Sequence, residues 1–148
     1  MQKKIGFKLL SLLTIFQLRF FRIKDQSMYP FLRENQIVIV NTSKYIKRNI
    51  KHGDVIVFKV LGRKINFIKR VVGVPNDKII ITYEGVEINE KDFFQHPTSV
   101  NYELKSLYLL DGQYFVLADN RNISSMFDSR KMGAISFNDI LGKVVKII

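Results

Sequence analysis

After residue 30 the chain contains no ten-residue segment with the apolar spacing of an amphipathic helix, and that absence excludes most helical and α/β architectures. Short runs rich in β-branched and aromatic residues take its place, at residues 36–41, 54–60, 65–74, 78–83, 86–89, 114–118 and 141–148. Runs of this length and composition are strand signals. Glu84-Gly85, between the fourth and fifth runs, reads as a hairpin turn. Gly53-Asp54 and Val74-Pro75-Asn76-Asp77 read as further turns, with Asn76 supplying the left-handed conformation usually given to glycine. Internal repeats and low-complexity tracts are absent. The expected fold class is mostly β, built from antiparallel sheet.

The N-terminus has a different character. Its first 24 residues hold six Lys/Arg and no acid, around an apolar core at residues 9–16 that extends loosely over 5–21. A spanning helix wants about 20 apolar residues. Lys8 and Arg19 can snorkel to the two interfaces and make a shorter span tolerable. No small-residue cleavage site follows, which argues against a removable leader. We therefore expect an N-terminal membrane-anchor helix at residues 1–20 and one β-rich domain at 21–148. Basic residues flank both ends of the apolar stretch, so charge alone does not orient it.

The net charge of +11 favours a polyanionic neighbour such as anionic lipid or wall polymer. Nucleic acid is not expected, because the basic residues are spread along the chain rather than gathered in a block. A basic, nucleic-acid-binding β-barrel would want aromatics interleaved with cations on one exposed face. Phe20-Phe21-Arg22 and Tyr45-Ile46-Lys47-Arg48 are only faint echoes of that pattern.

Cysteine is absent, which excludes disulfides, thiolate nucleophiles and Cys-based zinc sites. His52 and His96 are the only histidines and show no metal-binding spacing, so no metal and no cofactor is expected. Without a G-x-S-x-G elbow, a Ser-His-Asp triad is also poorly supported. Lysine is the remaining base for a serine nucleophile, provided it is neutral. Making it so near neutral pH requires lowering its proton affinity by roughly 4 kcal/mol, which apolar burial can do. Lys69 suits this role, since strand alternation puts Phe67, Lys69 and Val71 on one face. Arg70 points the other way and needs a carboxylate, for which Asp119 and Asp128 are candidates.

Four segments then fall in a telling order: Ser27-Met28-Tyr29-Pro30, Gly53-Asp54-Val55-Ile56-Val57, residues 68–77 around Lys69, and residues 119–130 from Asp119-Asn120-Arg121 to Asp128-Ser129-Arg130. They resemble the conserved boxes of the bacterial type I signal peptidases, membrane-bound Ser-Lys proteases, in their compact Gram-positive-like form or a pilus-associated variant. The resemblance covers nearly all of residues 20–145. It implies Ser27 as nucleophile and Lys69 as general base, with Ser124 orienting the lysine amine. Arg70 with Asp119, and Asp128 with Arg130, would brace the site, and the Ser27 N–H would donate to the oxyanion. Phe21, Ile23, Met28, Leu32, Phe67 and Ile68 would form shallow pockets for small side chains before the cut.

The implied activity is cleavage of signal peptides from exported preproteins, by a single-pass protein whose catalytic domain faces outward from the plasma membrane. The implied partners are those signal peptides and the lipid bilayer. The chain departs from the family pattern at Asp25, Phe31 and Ala118, where serine or glycine, threonine and glycine are usual, and two extra residues separate Asp119 from Asp128. An alternative reading follows from these departures: a weakly active or non-catalytic relative that assists pilus or surface-protein assembly, with pilin or other assembly proteins as partners. A self-cleaving Ser-Lys regulator of the SOS-repressor type shares a Ser-Met and Lys-Arg pattern. It lacks both the last segment and an anchor.

Overall fold

The computed structural model describes residues 17–95, 104–121 and 127–148. Eleven strands are described, all in antiparallel pairs. They are β1 (Leu18–Arg22), β2 (Ile37–Asn41), β3 (Val55–Lys59), β4 (Asn66–Gly73), β5 (Lys78–Ile81), β6 (Gly85–Ile88), β7 (Asp92–Gln95), β8 (Lys105–Tyr108), β9 (Gln113–Leu117), β10 (Ile135–Ser136) and β11 (Ile140–Ile147). A seven-stranded sheet runs in the order β1-β2-β11-β3-β4-β9-β10, and a four-stranded sheet in the order β7-β6-β5-β8. The described helices are short: α1 (Lys44–Arg48), α2 (Ser129–Met132) and a 3₁₀ turn at Phe137–Asp139. The mostly β expectation agrees with this architecture.

The central strands explain the unbroken apolar runs of the sequence. β3 lies between β11 and β4 and is covered on both faces, so Val55, Ile56, Val57 and Phe58 are all buried. Ile56 and Phe58 join one core with Phe67, Val71, Val116 and Ile140. Val55 and Val57 join another with Ile23, Met28, Leu32, Val38 and Val40. β9 divides likewise: Tyr114 and Val116 enter the first core, while Phe115 and Leu117 pack with Ile79, Ile81, Val86 and Ile88 of the small sheet. The expected turns at Gly53-Asp54 and Val74-Pro75-Asn76-Asp77 are in place, with Gly53 at φ +84° and Asn76 at φ +75°. The hairpin between β5 and β6 turns one residue before Glu84-Gly85, because Gly85 already begins β6.

Most of the expected anchor, residues 1–16, lies outside the described residues. Among the described residues no helix is long and apolar enough to cross a membrane. The last part of the anchor segment is strand: β1 starts at Leu18 and pairs with β2 from Leu18 opposite Asn41 to Arg22 opposite Ile37.

Candidate active site

Residues 24–35 leave the end of β1 and return to the start of β2 as a loop closed at its neck. The Ile23 N–H donates to the Gln36 carbonyl and the Asn35 N–H to the Ile23 carbonyl, each at 2.8 Å. Asn35 takes a left-handed conformation, φ +68°, to make this return. Met28 and Leu32 have no exposed surface and hold the underside of the loop on the core, and the Leu32 N–H donates to the Met28 carbonyl. With its underside packed, the loop presents Ser27 toward β4.

Lys69 meets it there. The alternation of β4 buries Phe67, Lys69 and Val71, and the lysine is only 4% exposed. Its Nζ donates to Ser27 Oγ at 2.9 Å and to the Ile68 carbonyl at 2.9 Å. Burial drives the Lys69 pKa down, and the negative charges of Asp25, Asp128 and Asp119 offset only part of that fall. The amine is thereby easier to deprotonate than an ordinary lysine.

Arg70, on the opposite face, is fixed by a fork. Nε donates to Asp119 Oδ1 at 2.8 Å and Nη2 to Oδ2 at 2.6 Å. Nη1 donates to the Gly53 carbonyl at 2.7 Å, and the guanidinium stacks over Phe31, 4.5 Å from the ring centre. Phe31, one of the departures from the family pattern, thus gives a cation–π contact to the residue beside Lys69. The other expected brace is also present. Arg130 binds Asp128 through Nε at 3.0 Å and Nη2 at 2.7 Å, with both side chains wholly buried. Asp128 also accepts the N–H groups of Arg130 and Ala118, which caps α2 and ties it to the end of β9.

Ser27, Lys69, Arg70, Asp119, Asp128 and Arg130 therefore converge around the middle of β4 and the C-terminal end of β9. Ser124 lies outside the described residues. A groove of about 390 Å³ runs between β1 and β4, lined by Phe21, Ile23, Phe67, Ile68 and Asp25 among others. Met28 and Leu32 do not line it. Their side chains point into the core beneath the loop, with Val38 and Val40.

Three residues make contacts that go beyond the motifs. Asn120 clamps the serine loop, its N–H donating to the Ser27 carbonyl at 2.9 Å and its amide to the Gln26 carbonyl at 3.2 Å. Ser129 Oγ accepts the Val116 N–H at 2.9 Å. Asp25 Oδ1 accepts the Ser27 N–H at 2.8 Å. The last has a signal in the sequence, since an aspartate commonly accepts the N–H two residues on.

A model of the family described as "Signal peptidase, peptidase S26" matches residues 4–148. The chain belongs to the S26 signal peptidase family. Curated relatives agree: it is 31% identical over 162 residues to signal peptidase IB of Staphylococcus aureus, covering 95% of this chain and 82% of the relative. Signal peptidase I of Bacillus caldolyticus is 32% identical over 152 residues, covering 89% and 80%. Among solved structures, a signal peptidase I from Enterococcus faecalis matches with a TM-score of 0.50 and 23% identity, over 66% of this chain and 97% of that one. That likeness concerns the fold. Membership of the S26 family supports a protease, a hydrolase of the serine type.

Proposed function

We propose that this chain is a membrane-anchored serine endopeptidase that uses Ser27 and Lys69 to remove signal peptides from exported preproteins after small residues. The catalytic domain sits on the extracytoplasmic side of the plasma membrane, tethered by the apolar segment ahead of β1. The observation that carries this reading is the 2.9 Å contact between Lys69 Nζ and Ser27 Oγ, made by a buried amine with a lowered pKa.

With Lys69 neutral, Ser27 Oγ attacks the scissile carbonyl carbon and its proton passes to Nζ. The resulting oxyanion takes the Ser27 N–H. Collapse breaks the C–N bond, the new ammonium returns the proton to the leaving amine, and the acyl group stays on Ser27 as an ester. Water, deprotonated by Lys69, then attacks the ester and releases the signal peptide. Substrate lies extended in the groove between β1 and β4, adding main-chain hydrogen bonds. The close walls at Phe21, Ile23, Phe67 and Ile68 select small side chains, and Ser124 orients the lysine amine.

The alternative, a weakly active or non-catalytic protein that assists pilus or surface-protein assembly, rests on the departures from the family pattern, among which Asp25 engages the Ser27 N–H. Cleavage of a preprotein in detergent by the wild type, S27A and K69A separates the two. Activity in the wild type that is lost in both variants supports the peptidase, and a wild type inert on all preproteins supports the assembly role.

A further inference from the structure

The donor that a tetrahedral oxyanion needs is occupied from within the chain. Asp25 Oδ1 accepts the Ser27 N–H at 2.8 Å, and Asp25 lines the groove between β1 and β4. We propose that the Asp25 carboxylate is a built-in occupant of the oxyanion position, seated on the Ser27 N–H in the free protein and expelled by the scissile carbonyl of an extended peptide. This rests on the Ser27–Lys69 reading above.

Charge and proton direction support it. Burial alone would raise the Asp25 pKa, but the Ser27 hydroxyl, the Ser27 N–H and the Lys69 charge together hold it below the usual aspartate value, so the group is a carboxylate. A serine hydroxyl has one proton to give. Here Oγ accepts from Lys69 Nζ, the reverse of what base catalysis requires. The Asp25 charge also favours the ammonium form of Lys69, as do Asp128 and Asp119. The other charged groups along the groove are the cations Arg22, Lys24 and Lys64. An incoming carbonyl must therefore displace a carboxylate from the Ser27 N–H, and in doing so it takes a negative charge away from Lys69.

The competing account is a plain structural turn, in which Asp25 only shapes the loop. D25N and D25S separate the two, because both keep an oxygen able to accept the Ser27 N–H while removing the charge. The full-length protein in detergent micelles is assayed on an internally quenched peptide with alanine at the first and third positions before the cut. Exchanging a hydrogen bond to a charged group for one to a neutral group corresponds to a gain in kcat/KM of roughly tenfold, largest in D25S, whose hydroxyl can donate to the oxyanion. Without the neighbouring negative charge Lys69 gives up its proton more readily, so the rising limb of activity moves to lower pH. A peptide boronate, whose tetrahedral adduct places an oxygen at the same position, binds both variants more tightly than the wild type.

Rates and boronate affinities of D25N and D25S at or below wild type, with S27A inactive, overturn the assignment of Asp25 and leave the Ser27–Lys69 reading standing. Undiminished cleavage by S27A overturns that reading itself. If neither the wild type nor the Asp25 variants cleave or bind the boronate, both fall.

Discussion

Arg70 grips Asp119 through two parallel hydrogen bonds of 2.8 and 2.6 Å, and the next residue, Asn120, holds the Ser27 carbonyl. The residue beside Lys69 is thus linked by a short relay to the loop that carries Ser27. R70K keeps the charge but loses the fork and the stacking on Phe31. We expect kcat/KM to fall at least tenfold in R70K and D119N, with a stability loss of about 1–3 kcal/mol read from urea denaturation. If both variants keep full activity despite that loss, the relay does not position Ser27.

Lys69 should dominate the pH behaviour. Its pKa in the folded protein lies below the ordinary lysine value because of burial, so cleavage should rise with pH as the amine becomes neutral. Stability should follow the same direction. Between the folded-state pKa and the ordinary lysine value the unfolded chain holds the proton that the folded chain has lost, so unfolding becomes less favourable as pH rises. K69M should flatten that rise. K69R, which stays protonated at all accessible pH, should be about 10²- to 10⁴-fold less active. Chemical denaturation and initial rates, each measured across pH, check both statements.

The Asp128–Arg130 pair has both side chains wholly buried. Breaking such a pair strands one charge in the core, so R130A or D128A alone should cost about 3–5 kcal/mol. Replacing both residues by apolar side chains of similar size should cost less than either single change. Denaturant midpoints of the four proteins test this, and a double variant less stable than both singles contradicts it.

Gly142 in β11 sits where a Cβ would collide with the Asn41 carbonyl and the Val40 side chain. Backbone cannot yield as a side-chain tip can, so G142A should lose at least about 2 kcal/mol. The thermal midpoint should drop, while the Lys69–Ser27 site, on other strands, keeps its pH profile.

How much of this can be read from sequence depends on burial. β3, β4 and β9 are covered on both faces, so their apolar runs identify them directly. β1 and β8 are different. Leu18–Arg22 and Lys105–Tyr108 carry exposed and basic positions because each is an edge strand, and neither composition nor alternation marks them. The Ser27 and Lys69 that meet in the structure lie in legible motifs, as do the carboxylates that pair with Arg70 and Arg130. The burial of Met28 and Leu32 is not, because a motif names neighbours in the chain and says nothing of which side of a loop faces the core. The clamp from Asn120 is equally hidden: it is a main-chain bond from a residue 93 positions beyond Ser27, made only after β9 has docked beside β4.

Strand β4 gives side chains to all three cores, Phe67 and Val71 to one, Val72 to the second and Ile68 to the third. The lysine strand therefore cannot peel away while any part of the domain stays folded. Its amides should exchange with solvent only through global unfolding and rank among the slowest in the molecule. Ser27 sits on a loop and Lys69 on the last element to let go, so local breathing changes their separation by moving the serine, against a lysine held still by the whole domain.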